Sequence, residues 1–102
     1  MPKRTKDYEE DLHKRLKDAK YAAEYLNAVM EDDDDDLEER FLIALRDVAK
    51  AHGISNLSEK TDLWRKSLYK VLSPEGNPRL YTLIALLNAM GLMMRINARR
   101  RL

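Results

Sequence analysis

The 102-residue chain has no cysteine, only three glycines and only three prolines. Without cysteine it has no disulfide framework, no thiolate zinc site and no cysteine nucleophile. So few glycines and prolines provide few of the turn-forming residues that connect the strands of a β-sheet. The chain also lacks an apolar run of membrane-spanning length and the apolar core of a signal peptide. We therefore expect one small, all-α domain located in the cytoplasm, with no membrane contact.

The residues needed for catalysis or for holding a ligand are equally scarce. His13 and His52 are the only histidines, and each lies in a predicted helix away from any nucleophile signature. No glycine-rich loop is present to hold a phosphate group. The acidic run Asp32–Asp36 lacks the alternating ligands and central glycine of a calcium loop, so we interpret it as a solvated loop. We expect no enzyme activity, catalytic residue, cofactor, metal or small-molecule ligand.

The charged residues are segregated although the net charge is only +1. Residues 31–39 contain eight acids and no base, whereas residues 95–101 contain four bases and no acid. A near-neutral sum is therefore compatible with a basic DNA-binding face on one side of the molecule.

Apolar residues at helical spacing predict two N-terminal helices, as a hairpin or as one bent helix. The first stripe is Tyr8, Leu12 and Leu16. Asp18 is the expected N-cap of the second helix, whose stripe is Ala22, Leu26 and either Val29 or Met30. Tyr21 and Tyr25 on that helix are expected to pack in the core, as is Met90 near the end of the chain.

A third helix is predicted between the acidic run and Gly53. Asp36 and Glu39 have the spacing of a capping box at its start. Gly53 ends it, because glycine accepts the left-handed conformation at C′, and His52 just before it places a cation at the negative end of the helix dipole. The apolar stripe consists of Phe41, Leu42, Leu45, Val48 and Ala49.

Residues 53–72, GISNLSEKTDLWRKSLYKVL, have the spacing of a helix-turn-helix. Ser55 is the expected cap of the first short helix, and Asp62 lies at the turn. The shared core of the two helices is predicted to be Leu57, Leu63, Leu68 and Val71.

The second motif helix then presents three cations and two aromatic side chains outward. This composition suits DNA phosphates and base edges. The alternative is a plain helical hairpin with a solvated basic face. The outward residues are Trp64, Arg65, Lys66, Tyr69 and Lys70.

A last helix and a short tail complete the chain. Asn77 at N-cap and Pro78 at N1 are expected to start the helix, and Gly91 to end it. Its predicted stripe is Leu80, Leu83, Ile84, Leu87 and Met90. The tail alternates so that Leu92, Met94 and Ile96 lie on one side, which predicts either a short strand pairing with a second copy or a frayed basic tail.

Four blocks of the sequence resemble the small Cro/CI-type helix-turn-helix regulators described as probable addiction-module antidote proteins. The blocks are LKDAKYAAEYLNAVMED (16–32), FLIALRDVAKAHGIS (41–55), SLYKVLSPEGNPRLYTL (67–83) and LLNAMGL (86–92). The block SLYKVLSPEGNP is the most specific one. The resemblance implies an all-α fold of five or six short helices and a bacterial antitoxin encoded beside a RelE-like killer protein.

Three positions depart from the pattern of that family. Ser58 stands where its members mostly have Ala, and Asp62 where they have Gly at the turn. Both are tolerable, because Ser is small and Asp accepts the left-handed region better than most residues. Trp64 stands where they more often have Ser capping the second helix, so Asp62 is expected to take over that cap.

The resemblance also assigns contacts and partners. It places the helix-turn-helix outward residues on operator DNA, with Ser55, Asn56 and Arg79 on phosphates. Residues 1–36 form a helical segment with the acidic loop, and residues 37–102 form the DNA-binding part with a dimerisation tail, in one compact domain. It implies a homodimer that represses its own operon. Residues 6–30 either bind the toxin or only cover the core.

Two other functions remain open from the sequence. One is a phage- or transposon-type repressor with no toxin partner. The other is a protein-interaction module whose helix-turn-helix has lost DNA binding, its acidic run suiting a basic protein partner.

Overall fold

A computed structural model describes residues 5–32 and 35–99 and contains six α-helices. They are α1 (Lys6–Arg15), α2 (Ala19–Glu31), α3 (Leu37–His52), α4 (Ile54–Thr61), α5 (Arg65–Val71) and α6 (Leu80–Ala89). The described residues contain no strand. The predicted all-α architecture of five to six short helices is therefore confirmed.

The two N-terminal helices are separate and each begins at a side-chain cap. Thr5 Oγ1 accepts a hydrogen bond from the Tyr8 amide at 3.1 Å at the start of α1. Asp18 Oδ2 accepts one from the Tyr21 amide at 3.4 Å at the start of α2, as predicted. A short turn at residues 16–18 joins the helices, so the bent-helix alternative is wrong.

The start of α3 differs from the predicted capping box. Asp36 is at the N-cap position, but its side chain makes no hydrogen bond to the first turn. Its backbone (φ −99°, ψ 24°) is outside the extended region from which an N-cap side chain reaches back to the helix amides. Arg40 of α3 instead contacts the residue that follows α2, with its Nη2 2.6 Å from Asp32 Oδ2.

One hydrophobic core joins all six helices, with α3 at its centre. Helices α1 and α2 pack on α3, and α4 packs against α3, α5 and α6. The fully buried larger side chains are Leu45, Val48, Leu57, Leu68, Leu72 and Leu86.

The predicted core of the first three helices is largely confirmed. Phe41 and Val29 pack at its edge, as do Tyr21 and Tyr25, whose hydroxyl donates to Asp47 Oδ2 at 2.8 Å. The prediction that Tyr8 belongs to the core is wrong, because Tyr8 lies in the first turn of α1 and is 53% exposed. Of the two choices on α2, Met30 is 51% exposed, so the stripe passes through Val29.

The start and the buried face of α6 both differ from the prediction. Arg79 is at the N-cap with an extended backbone (ψ 152°), so neither Asn77 nor Pro78 starts the helix. Leu86, Leu87 and Met90 are buried as α6 turns its inner side to the core. Leu80 and Ile84 are 62% and 40% exposed, so the prediction that they belong to the core is wrong. Apolar residues surround α6, so periodicity alone did not select its buried face.

The end of α6 forms a Schellman motif at Gly91. The Gly91 amide donates to the Asn88 carbonyl at 3.0 Å, and the Leu92 amide to the Leu87 carbonyl at 2.8 Å. The described tail, residues 92–99, then runs beside α2 without regular structure. Between the tail and α2 lies a groove of about 430 Å³ lined by Leu26, Met30 and Met93 among others.

The loop between α5 and α6 depends on Gly76, which leads to a stability prediction. A Cβ atom at this position would clash with the Val71 carbonyl oxygen and lie 2.9 Å from the Ser73 carbonyl oxygen. Backbone atoms cannot move aside as a side chain can. We expect Gly76→Ala to lower the free energy of unfolding by about 2–3 kcal/mol in chemical denaturation.

The neighbouring exposed Glu75 provides the matched control. Glu75→Ala should change the free energy of unfolding by less than about 0.5 kcal/mol, since it removes no buried contact. Equal denaturation midpoints for the two variants would contradict the close backbone approach at residue 76.

Candidate nucleic-acid interface

Helix α4 follows α3 almost at once because of Gly53. Its φ of +105° turns the chain, and Gly53 itself is both the last cap of α3 and the N-cap of α4. The end of α3 at Gly53 is confirmed. Ser55 is wrong as an N-cap, because the helix has already begun at Ile54 and Ser55 has a helical position.

The turn between α4 and α5 is closed by hydroxyl groups. Ser58 Oγ donates to the Leu63 carbonyl. Thr61 Oγ1 donates to the Leu57 carbonyl at 2.6 Å, and the same oxygen accepts from the Leu63 amide at 3.4 Å. These bonds were not predicted from the sequence, because they depend on the path of the turn.

Asp62 has the left-handed backbone expected at the turn, with φ 58° and ψ 19°. Its predicted capping role is wrong, however. The N-cap of α5 is Trp64, and no side chain bonds to the first amides of that helix. Asp62 is two residues before the N-cap and therefore too early in the chain to hold the position from which caps act.

Burial of one side of α5 determines which side chains face outward. Leu57 and Leu68 are fully buried, and Leu63 and Val71 pack at the edge, as predicted. Leu72 is also buried, one turn after Leu68; its i+4 spacing was a signal that the prediction missed.

The opposite side of α5 forms one exposed arc, which we call the α5 arc. With about 100° of rotation per residue, its members fall within roughly 140° of the helix circumference. All four are exposed, and α5 contains no acidic residue. Trp64, just before the helix, is 79% exposed, as its predicted outward position requires. The members of the α5 arc are Arg65, Lys66, Tyr69 and Lys70.

One residue of the α5 arc contacts the start of α4. Arg65 Nη1 donates to Ser55 Oγ at 2.9 Å, although ten residues separate them. The structure thus brings together two predicted DNA-contacting residues from different helices. Asn56 is exposed beside Ser55, and Arg79 is exposed immediately before α6.

Two carboxylates lie close to this cationic surface. Glu59 and Asp62 line a shallow depression at the α4–α5 junction together with Trp64, Arg65 and Lys66. Their negative charges lower the electrostatic potential at this end of α5. Lys70, one turn further along, does not line the depression, so the positive potential is less opposed there.

The predicted dimer residues occupy different environments in the single chain. Leu92 is half-buried and packs against the core of its own chain. Met94 is 48% exposed and Ile96 is 94% exposed. Their role in pairing with a second copy stays a prediction.

His52 lies at the corner between α3 and α4 and faces a cation. Its Nε2 is 3.4 Å from Lys60 Nζ. Burial, together with the charge of Lys60, lowers the pKa of His52 below its usual 6.5. These surroundings therefore disfavour the cationic form of His52 that was expected at the end of α3. The helix-end position favours the charged form, but desolvation and Lys60 oppose it.

The described part of the chain offers no other site of a familiar kind. It contains no group of three or more His, Cys, Asp or Glu residues able to hold a metal ion. None of its helices is long and apolar enough to cross a membrane.

Comparisons with known proteins support the antidote family that the sequence resembles. Residues 6–98 match the model of the family described as "Probable addiction module antidote protein". An uncharacterised protein of Haemophilus influenzae is 30% identical over 100 residues, covering 98% of each chain. No solved structure matches the chain.

The His52–Lys60 pair gives a prediction about pH. Because the folded state favours neutral His52, the stabilisation from this group is present above pH 6.5 and is lost as the pH falls through its lowered pKa. Lys60→Gln should raise the pKa of His52 in an NMR titration, but not fully to 6.5, since the desolvation remains. Exposed Lys50→Gln serves as a charge-matched control. An unchanged pKa in Lys60→Gln would exclude Lys60 as a cause.

Proposed function

This chain belongs to the probable addiction module antidote family, and on that premise we propose that it is a DNA-binding antitoxin that represses its own operon. An antidote neutralises a partner rather than catalysing a reaction, in agreement with the expectation that the chain is not an enzyme. The observation that carries DNA binding is the α5 arc, an exposed, acid-free set of three cations and one aromatic residue.

The packing of α4 and α5 supports a helix-turn-helix of the Cro/CI type. An eight-residue helix, a turn at residues 62–64 and a seven-residue helix share one buried core. Such a motif uses its second helix to enter the major groove while the first lies across the backbone. In this proposal the α5 arc and Trp64 face the groove, and Ser55, Asn56 and Arg79 meet phosphates. A homodimer would read a two-fold symmetric operator.

The family also implies a toxin partner, which we propose is RelE-like and is bound directly in the cytoplasm. Residues 1–36 would provide the toxin-binding part and residues 37–102 the DNA-binding part. Leu12, Leu16, Ala22 and Leu26 of α1 and α2 are buried in the core. These helices therefore do cover their own core, and only their outward faces are available to a toxin.

Two alternatives lead to different observations. A phage- or transposon-type repressor would bind an operator but would have no toxin encoded beside it. A protein-interaction module that has lost DNA binding would form no complex with either operator or scrambled DNA. A DNA-binding protein would bind, and its affinity would fall steeply with added salt because it contacts phosphates.

Arg65 is the residue of the α5 arc best suited to reading a base. Its planar guanidinium matches two acceptors of guanine, whereas lysine is a point charge. Arg65→Ala should cost roughly 1–3 kcal/mol of binding to the specific operator and should reduce discrimination against scrambled DNA. Titration of both duplexes at several salt concentrations measures these effects. Melting should change little, because Arg65 is exposed.

Lys70→Ala provides the matched cation control on the same helix. If Lys70 contacts phosphate, its loss should weaken binding to all duplexes alike and lower the salt slope by about one. Unchanged operator affinity in both variants, with melting preserved, would refute the α5 arc as the DNA-reading surface.

The toxin half of the proposal is tested with the reading frame next to this gene. Its product should arrest growth when expressed alone, and co-expression of this chain should restore growth and yield a purified complex. Arg65→Ala should still neutralise the toxin, since the proposed toxin contact lies on α1 and α2. A neighbouring product that is harmless and does not bind would favour the repressor without a toxin.

A further inference from the structure

Helix α6 differs from the other five helices because it has no charged residue. Residues 80–94, LYTLIALLNAMGLMM, contain neither an acid nor a base. One side of the helix is buried through Leu86, Leu87 and Met90. The other side still carries large apolar groups, with Leu80 62% exposed and Tyr81 81% exposed.

The exposed residues of α6 form a single continuous face. At about 100° per residue, positions 80, 81, 84 and 88 fall within roughly 100° of the circumference, and positions 86 and 90 lie on the other side. Ile84 is 40% exposed between Leu80 and the polar Asn88. We call these four residues the α6 outer face: Leu80, Tyr81, Ile84 and Asn88.

A helix that is apolar around its whole circumference is normally buried on every side. A surface helix keeps charged residues toward water, and contiguous exposed apolar groups mark interaction sites. The other described helices follow this rule, since each carries charged residues. The α6 outer face therefore lacks the polar covering of a surface that remains in water.

The absence of charge makes this face compatible with a second copy of itself. In a two-fold dimer each surface meets its own copy, so a charged face opposes like charges. Two copies of the α5 arc would oppose three cations with three cations. The α6 outer face brings no charge to such a contact, and its apolar groups are complementary to themselves.

The C-terminal tail is less suited to a two-fold contact, because it is positively charged. Residues 95–101 contain four bases and no acid, so pairing two tails brings these cations together. Leu92 is already packed on the core of its own chain. We propose that a second copy of this chain docks on the α6 outer face, and that the two α6 helices cross at the two-fold axis. The proposal rests on the proposed function only in requiring a homodimer.

Sedimentation of the full chain without DNA tests this contact. Tyr81→Glu places like charges across the two-fold contact and should raise the dimer dissociation constant by at least about tenfold. The fold should persist in circular dichroism, because the side chain projects into solvent. Ile96→Glu, at a tail position that is 94% exposed, tests the competing tail contact predicted from the sequence; if α6 holds the dimer, this variant should remain dimeric.

Mixing two variants separates self-association from general surface damage. Tyr81→Glu and Tyr81→Lys should each be mainly monomeric alone, and their mixture should form a heterodimer. A monomeric wild-type chain, or a dimer that survives Tyr81→Glu and is lost in Ile96→Glu, would overturn the proposal. So would a Tyr81→Glu variant that loses the toxin but stays dimeric. A wild-type chain that is dimeric but does not bind the operator would instead contradict only the proposed DNA-binding function.

Discussion

The burial of α4 against α3, α5 and α6 is the constraint on which the rest of this structure depends. Leu57 of α4 and Leu68 of α5 are fully buried. Burying one leucine side chain contributes about 1.5–3 kcal/mol, more than the roughly 0–1 kcal/mol typical of an exposed ion pair. Once Leu68 and Val71 face inward, helical periodicity turns Lys66, Tyr69 and Lys70 outward and places Arg65 at the edge of that side. The direction of the α5 arc is thus a consequence of core packing.

The polar contacts of the α4–α5 pair act on top of that packing and define its local shape. A hydrogen bond contributes only about 0.5–1.5 kcal/mol net, so the hydroxyls of Ser58 and Thr61 do not hold the helices together. Thr61 satisfies a carbonyl group within α4 and Ser58 one in the turn, and together they fix where α5 begins. Ser58 also explains a departure from the family pattern, because its hydroxyl bonds to the Leu63 carbonyl, which an alanine could not do.

Much of the fold could be predicted because most helices are amphipathic and end at distinctive residues. Asp18, Gly53 and Gly91 were placed correctly from local chemistry, whereas Asp62 was placed correctly at the turn but wrongly as the cap of α5. The Asp36 and Ser55 caps failed because capping depends on the backbone path that enters the helix. The face of α6 failed because a helix without charge gives no contrast between inside and outside. Exposure of the α5 residues was predictable from the spacing of Leu68 and Val71, and their contacts with DNA stay a prediction.

The α5 arc and the α6 outer face should respond oppositely to salt. Contacts of the α5 arc with phosphates would weaken as ions screen them and counterion release loses its advantage. Association through the uncharged α6 outer face has no such screening, and salts that are excluded from protein surfaces strengthen apolar burial. A dimer held by paired basic tails would also tighten with added salt, because ions screen the repulsion among its cations. If the dimer is held by α6, sulfate at moderate concentration should therefore strengthen dimer association and weaken the binding of DNA. These opposite responses to salt follow from the distribution of charge along the chain, with three cations on α5 and none on α6.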